Sequence, residues 1–488
     1  MNVAGRPRNL LFIWTDEQRP DTIGAYNNPS IHTPNLDRLA ARSVLFEQAY
    51  CAQPVCSPSR ATVVTSVYPH THGLLRNNMV LTPALPTLAE LLRPAGYVCG
   101  YVGKWHLGNE VRPQRGFEQF WVSTEDNYTR DYAAEGFSSY HQFLVQRGYT
   151  PPDERHGYRI FSRSTAARLP EEVGKPAFQA RECIRFLETY HEQPFFLMVN
   201  FLEPHMPFFG PFDGMYRAED MSLPESWYRE MEPTVPLHYR LLREFYARQN
   251  RHVKTNDEWG WKELKARYWG LCSLVDKHAG RILQRLEELG LAEDTIVVYT
   301  SDHGDMMGDH RLVAKCVQYE GAVRVPLLIR VPGLPPRRIT TPVSLVDLVP
   351  TLLELLGLPL PEHLQGRSLV PLLTHGDVAP DDAEVIIEWN GWDGFDHIRE
   401  QLLAERTGLD EQPLSLDART IRLGRWKLTL HMTGEHELYN LHTDPGEMHN
   451  AFHDPACAPV VRTLYERLLT WQRRTNDPLV LPEPAWRT

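Results

Sequence analysis

The chain lacks any apolar run close to the ~20 residues needed to cross a bilayer, so we expect no membrane span. It also lacks a basic excess, because 62 acidic residues against 51 basic ones give a net charge of −11. Nucleic-acid binders usually present a basic surface, which argues against that class. No small-residue cleavage site follows the apolar run at residues 9–14, so we expect no signal peptide and a cytoplasmic location.

The chain has few cysteines, and their number and spacing argue against a disulfide framework and against a zinc site. The number is odd, and no two cysteines stand in C-x-x-C spacing. This usage is typical of reduced thiols rather than of a disulfide framework or a zinc site. The seven cysteines are at positions 51, 56, 99, 183, 272, 316 and 457.

Apolar runs typical of buried strands alternate with helical patterns along most of the chain. Such runs occupy residues 9–15, 97–102, 195–201 and 295–300, and a long helical pattern extends from about 261 to 289. Polar residues follow each run at once. This alternation is typical of doubly wound α/β folds, whose sites lie outside the carboxyl ends of the strands. We therefore predict a mostly parallel sheet flanked by helices.

Two stretches, at about 120–180 and 206–260, are rich in Tyr, Trp, Arg, Glu and Pro and show little periodicity. Long irregular segments inside a compact domain are often functional or interface-forming. We interpret both as insertions in a catalytic α/β domain that spans residues 1–375. Their aromatic and arginine side chains would suit a sugar or an aryl group at the mouth of a pocket.

A smaller domain is predicted at the C-terminal end. The composition changes at residues 374–382, where we place a linker. Short strand patterns with turns at Gly424 and Gly434 follow, and a helical pattern occupies about 458–474. These signals predict a C-terminal α+β domain over residues 383–488 that carries an antiparallel sheet.

The most informative segment begins at Cys56, with Pro58 and Arg60 at fixed offsets after it. Pro58 suits a first helical turn, because its missing N–H is one that the helix leaves unpaired. Helix N-termini attract negative charge. A helix that begins here would aim residue 56 at an anionic substrate, with Arg60 one turn further along the same face.

The polar residues after the four predicted strands are of types that bind metal ions or transfer protons. They are Asp16 with Glu17, Lys104 with His106, His205, and Asp302 with His303. Taken singly, such an aspartate is often a turn residue and such a histidine is more often packed than catalytic. Their joint position at one sheet edge favours a common site. Oxygen-rich ligand sets suit Ca²⁺ or Mg²⁺, and a histidine in the set also allows Mn²⁺.

The residues from Cys56 to Arg60 match the C-x-P-x-R signature of type I sulfatases, and further family-like blocks follow the same order along the chain. These blocks are residues 15–21, G-K-W-H-L-G at 103–108, P-H-x-P at 204–207, S-D-H-G at 301–304, Lys315, and the turn at 439–447. Any one block could arise by chance, but the ordered series is specific. Over roughly residues 9–450 the chain resembles the sulfatase branch of the alkaline phosphatase-like superfamily.

The resemblance implies one divalent-cation site with Ca²⁺ as the expected ion and Mn²⁺ or Mg²⁺ as alternatives. Its ligands would be Asp16, Glu17, Cys56, Asp302 and His303. The family has a second aspartate where this chain has Glu17, whose extra methylene leaves the neighbouring Gln18 as an alternative ligand.

The resemblance also implies a reaction, the hydrolysis of an aryl or carbohydrate sulfate. A maturation enzyme would oxidise Cys56 to formylglycine, whose hydrate attacks sulfur to give a covalent sulfo-enzyme. Arg60 would hold this residue, and Lys104 and Lys315 would bind the sulfate. His205, also in contact with the substrate, would protonate the departing alkoxide. His106 would then remove a proton from the remaining hydroxyl and release sulfate.

Other assignments stay open at this point. Phosphonate monoester and phosphodiester hydrolases of the same superfamily share the modified cysteine, but they lack the pair seen here at Lys104 and His106. An enzyme that hydrolyses both ester types, a non-catalytic scaffold, and a hydrolase that uses Cys56 as a thiol are further alternatives. Asn78 is either a substrate contact or a turn residue. A homo-oligomer is also left open.

Overall fold

The computed structural model describes residues 9–126, 136–155, 157–248, 255–377, 383–391 and 417–484. Within these ranges, strands and helices alternate as the sequence predicts. The strands are β1 (Asn9–Asp16), β2 (Val44–Tyr50), β3 (Val98–Gly103), β4 (Phe120–Ser123), β5 (Asp153–Arg155), β6 (Tyr158–Ile160), β7 (Phe195–Pro204), β8 (Thr295–Ser301), β9 (Arg324–Arg330), β10 (Arg337–Ile339), β11 (Val343–Ser344), β12 (Glu384–Trp389), β13 (Ala418–Leu423), β14 (Trp426–His431) and β15 (Glu437–Asn440).

The α-helices of the same ranges vary from single turns to one of 31 residues. They are α1 (Pro34–Ala40), α2 (Cys56–Thr65), α3 (Pro69–His72), α4 (Leu88–Leu92), α5 (Ser139–Gln146), α6 (Arg163–Ala166), α7 (Lys175–Tyr190), α8 (Leu237–Arg248), α9 (Glu258–Glu288), α10 (Glu320–Val323), α11 (Leu348–Leu355), α12 (Val370–His375) and α13 (Ala458–Thr475). None of the helices in the described ranges is both long and apolar enough to span a bilayer.

The central sheet has the strand order β10-β2-β9-β8-β1-β7-β3-β4, and β11 also pairs with β2. Its core of β8, β1, β7, β3 and β4 is parallel, while β9 runs antiparallel to both of its neighbours. All eight residues of β1 are buried, as expected for a parallel strand covered on both faces. The prediction of a mostly parallel sheet is therefore confirmed.

Helices cover both faces of this sheet. Leu11 and Ile13 of β1 point into a core formed with α1, α7 and α9, and Phe12 and Trp14 point into a second core formed with α2, α4 and α11. Because side chains alternate along a strand, one apolar run serves both cores. The parallel strands β1, β3, β7 and β8 end at the same edge, which brings the predicted polar residues together.

Helix α2 is the predicted helix that begins at Cys56. Pro58 lies in its first turn, and Ser66 ends the helix in a left-handed conformation with φ 59°. All ten of its residues are buried. A helix that is buried all round has no exposed face, which explains why this segment consists of small and β-branched residues around Arg60.

Regular elements lie at both ends of the first predicted insertion, whose bounds of about 120–180 stay a prediction. Phe120–Ser123 is β4, the edge strand of the central sheet, and Lys175 begins α7. With only four residues and two aromatics, β4 is too short to give a periodic strand signal. Residues 127–135 and 156 of this stretch lie outside the described residues, as do 249–254 of the second stretch.

The C-terminal part forms the predicted antiparallel sheet, in the order β12-β13-β14-β15, with α13 packed on it. Gly424 and Gly434 have φ values of 57° and 83° and lie in the turns. The boundary near residue 375 stays a prediction, because residues 378–382 of the proposed linker lie outside the described residues.

Hydrogen bonds connect the C-terminal sheet and helix α13 to the segment around Cys56. The Glu388 N–H donates to the Ala52 carbonyl at 2.7 Å. The Glu388 carboxylate lies 2.6 Å from Nδ1 of His70, and Nε2 of His70 lies 3.1 Å from the Thr475 carbonyl. Both ring nitrogens face acceptors, so the ring is suited to the doubly protonated form. Burial opposes this charge, but Glu388 outweighs it and raises the pKa of His70 above 6.5.

We expect the stability of the protein to fall as the pH rises through the raised pKa of His70. Below pH 6.5 the charged ring contributes its full share to the free energy of unfolding. Between pH 6.5 and the raised pKa of folded His70, the unfolded state binds fewer protons than the folded state, so this stabilisation decreases. It is lost above the pKa of the folded state. Urea unfolding between pH 6 and pH 9 measures this. His70→Gln should flatten the profile over that interval, whereas the exposed control His442→Gln should not. Equal profiles for the two variants would contradict the assignment.

Candidate active site

The residues at the strand ends converge on Cys56. One ligand atom from each of Asp16, Cys56, Asp302 and His303 lies within 4.8 Å of the others. A second group with the same spacing consists of Asp16, Glu17 and His205. All of these side chains are buried. Since Asp16 belongs to both groups, they form one continuous polar cluster at the carboxyl edge of the sheet.

Arg60 binds the two aspartates at once. Its Nη2 donates to Oδ2 of Asp16 at 2.7 Å, and its Nε donates to Oδ2 of Asp302 at 2.9 Å. Nη1 donates to the Lys104 carbonyl at 2.8 Å and to Oδ1 of Asn200 at 2.9 Å. The guanidinium also lies 4.8 Å from the ring centre of Trp14. Arg60 thus joins the ends of β1, β3, β7 and β8.

The electrostatic environment differs between the two aspartates. Burial would raise the pKa of the Asp16 carboxyl, but Lys104 and Arg60 outweigh it and hold that pKa well below its usual range. Burial and the Asp16 charge raise the pKa of Asp302. Asp302 is therefore the more readily protonated of the two carboxyls.

His303 is oriented by the backbone. Its Nδ1 donates to the Gly304 carbonyl at 2.9 Å, which turns Nε2 towards Sγ of Cys56 at 3.4 Å. Burial disfavours the charged ring, but Asp302 outweighs it and raises the pKa of His303 to about 9. A histidine held by its Nδ1 in this way presents Nε2 as a ligand atom.

The Cys56 thiol lies in a cationic environment. Its Sγ is 3.0 Å from Nζ of Lys315 and 3.7 Å from Oδ1 of Asp16. Burial and Asp16 would raise the pKa of this thiol, but Lys104 and Lys315 outweigh them and lower it well below its ordinary value.

Lys104 and His106 reach the same cluster from the loop after β3. Nζ of Lys104 contacts Oδ2 of Asp16. Nε2 of His106 lies 3.1 Å from Oδ1 of Asn78, which is a turn residue with a φ of 63°; its contact with the substrate stays a prediction. Burial, reinforced by Lys104, lowers the pKa of His106 to about 3, so this ring is neutral at physiological pH.

Glu17 faces the cluster, and Gln18 does not. Glu17 contacts Nζ of Lys315, lies 3.5 Å from Nε2 of His205, and has one buried carboxylate oxygen, Oε2, without a hydrogen bond. The amide of Gln18 is instead bound by three other buried side chains, those of Thr15, Thr22 and Tyr299. The alternative that gave Gln18 a place among the ligands is therefore disfavoured, because both of its polar atoms are already satisfied.

Two residues that the sequence analysis missed also shape the site. Asn200 is fully buried and accepts from Arg60, and the only sequence signal for it is one polar residue inside the apolar strand β7. Glu110 is buried as well and accepts the backbone N–H groups of Trp105 and His106. It lies in a loop without periodicity, so no sequence pattern indicates it.

Known proteins resemble this chain over most of its length. The uncharacterized sulfatase YidJ of Escherichia coli (strain K12) is 29% identical over 476 residues, covering 96% of this chain and 88% of that protein. An arylsulfatase of Clostridium perfringens (strain 13 / Type A) is 31% identical over 396 residues, covering 75% and 78%. The crystal structure of the phosphonate monoester hydrolase of Agrobacterium radiobacter matches with a TM-score of 0.77 at 26% identity, covering 96% of each chain.

The fold and the clustered strand-end residues define an alkaline phosphatase-like hydrolase. Residues 8–358 match the family model described as Sulfatase. The chain therefore belongs to the sulfatase family and is a sulfuric ester hydrolase.

Arg60→Met should lower the free energy of unfolding by about 3–5 kcal/mol, because it leaves Asp16 and Asp302 buried without their shared counter-charge. Arg60→Lys keeps a positive charge and should lose less. Urea unfolding of both variants in the presence of a chelator measures the difference. Equal losses would mean that packing around Trp14, and not the charge, is what Arg60 contributes.

Proposed function

We propose that this enzyme hydrolyses a sulfate monoester of an aryl alcohol or a carbohydrate, with formylglycine derived from Cys56 as its nucleophile and a divalent cation as its cofactor. The observation that carries the proposal is the buried grouping around Sγ of Cys56. Lys315 lies at 3.0 Å and Nε2 of His303 at 3.4 Å from that sulfur, and Asp16 lies beside them.

The residues present fit a divalent cation. The cluster is buried and rich in carboxylate oxygen, and the free Oε2 of Glu17 leaves an acceptor unsatisfied. Such groups suit a hard cation, so Ca²⁺ is the first candidate, and the histidine also admits Mn²⁺. When bound, the cation supplies positive charge to the ester oxygens and to the nucleophile. The proposed ligands are Asp16, Glu17, residue 56, Asp302 and His303.

Residue 56 is placed to act on an anion. It is the first residue of α2, where the positive end of the helix dipole favours negative charge. A formylglycine there supplies an oxygen nucleophile in place of the thiol. The proposal therefore includes a maturation enzyme that modifies Cys56 as a partner.

The side chains around residue 56 have separate roles in the proposal. Lys104, Lys315 and Asn78 bind the sulfate oxygens, where fixed positive charge and N–H donors stabilise developing negative charge. Nδ1 of His205 faces the Met206 carbonyl at 2.7 Å, so its Nε2 is the atom that passes a proton to the leaving alcohol. His106 is kept neutral by burial and Lys104, and it accepts a proton from residue 56.

A phosphonate monoester or phosphodiester hydrolase is the second candidate. The match to the Agrobacterium radiobacter enzyme, at a TM-score of 0.77 over 96% of both chains, favours it, and one site could serve both ester types. The pair of Lys104 and His106 is the sequence feature that favours sulfate.

A substrate panel tests the proposal directly. We expect an aryl sulfate or a sugar sulfate to be hydrolysed with a higher kcat/KM than a phosphodiester or a phosphonate monoester. Chelation should abolish the activity, and Ca²⁺ should restore it. Mass spectrometry of the peptide that contains residue 56 must accompany each preparation. Full activity with an unmodified thiol would contradict the formylglycine proposal, and faster phosphonate hydrolysis would favour the second candidate.

A further inference from the structure

The loop after β3 holds its catalytic side chains on a strained backbone. Gly103, His106 and Gly108 have φ values of 128°, 59° and 141°. The two glycines adopt such values without cost, but His106 carries a side chain in the left-handed region. A residue in that conformation persists where its surroundings fix it. The structure must therefore supply contacts that hold the peptide group of His106.

Contacts on the carbonyl side of this loop come from the neighbourhood of α2. The carbonyl of Lys104 accepts from Arg60 at 2.8 Å and from the hydroxyl of Tyr101. The carbonyl of His106 accepts from Oγ of Ser57 at 2.7 Å. The bonds from Arg60 and Ser57 tie the loop to the helix that begins at Cys56, but none of the three bonds involves a backbone N–H group of the loop.

The amide side is held by one carboxylate. Oε2 of Glu110 accepts the N–H of Trp105 at 3.0 Å, and Oε1 accepts the N–H of His106 at 2.6 Å. Glu110 is only 3% exposed, so water cannot readily replace it. The two oxygens of one planar group thus fix the orientation of two consecutive peptide groups.

We propose that Glu110 is a positioning residue of the active site, which acts by fixing the peptide group of His106. Held in this way, the imidazole of His106 reaches Oδ1 of Asn78 at 3.1 Å. The inference rests on the proposed function, because it takes His106 as the group that accepts a proton from residue 56. Glu110 itself does not touch the substrate.

The variant Glu110→Gln tests this with little change of shape. It replaces one acceptor oxygen by an NH₂ group, which then faces a backbone N–H. We expect kcat to fall about 10- to 100-fold with KM changed little, because small displacements of a catalytic group have effects of that order. The assays are run at pH 8, above the pKa of about 7 to which burial raises the Glu110 carboxyl.

The matched control is Glu90→Gln. Glu90 also accepts a backbone N–H, that of Thr87 at 2.8 Å, but it does so in the cap of α4 and outside the polar cluster. We expect this variant to keep the kcat of the unaltered enzyme. A fall in kcat as large as that of Glu110→Gln would show that the loss of any carboxylate that accepts a backbone N–H matters equally, which would overturn the proposal.

A double-mutant cycle with His106 separates positioning from a purely structural role. If Glu110 acts through His106, then His106→Ala and the double variant His106→Ala, Glu110→Gln should have the same kcat within about 2-fold, since neighbours that act as one unit are not additive. Losses that multiply would mean that Glu110 does not act through His106, and the proposal would be wrong.

Backbone hydrogen exchange supplies a readout that does not depend on activity. Mass spectrometry of the peptide over residues 104–107 should show faster exchange in Glu110→Gln and unchanged exchange in Glu90→Gln. Unchanged exchange in Glu110→Gln would overturn the inference. If the unaltered enzyme hydrolyses no sulfate ester after modification of residue 56, the proposed function fails, and the exchange data still decide whether Glu110 holds the loop.

Discussion

Two buried carboxylates lie side by side at the ends of adjacent parallel strands, and the guanidinium group of Arg60 is what makes that arrangement tenable. Asp16 is the last residue of β1 and Asp302 follows β8, so their charges repel each other in a buried region. A buried charge without a partner costs several kcal/mol. Arg60 offers five N–H donors in a rigid plane and meets both carboxylates with separate nitrogens. A lysine presents a single charged nitrogen and could not match this geometry.

The position of β1 in the middle of the sheet explains why so many groups meet at one place. Its neighbours β7 and β8 run parallel to it, so three polar strand ends lie side by side, and β3 adds a fourth. Helix α2 packs on one face of this sheet and brings Cys56 to the same place at its N-terminus. All ten of its residues are buried, and Arg60 extends from it to the carboxylates at the strand ends.

The convergence of the strand ends can be predicted from the sequence, because each buried strand is indicated by a local run of apolar residues. Asp16, Asp302 and His303 come together as the apolar runs before them predict. Contacts between individual atoms are not encoded in this way. The hydrogen bonds that Glu110 accepts from two backbone N–H groups lie in a loop without sequence periodicity. Strand β4 has only four residues, too few to show an alternating pattern. The hydrogen bonds of the Gln18 amide also required the structure, because only side-chain packing shows that this group is already bound.

The fastening of His70 to Glu388 and Thr475 has a consequence for the order of events during synthesis. Thr475 lies 405 residues beyond His70 along the chain. At about 5–20 residues per second, a ribosome takes about 20–80 seconds to make that stretch. During that interval the segment around Cys56 has been synthesised, but the C-terminal residues that contact it in the folded protein have not. The nascent chain therefore offers a period in which another protein can reach a cysteine that the finished fold encloses.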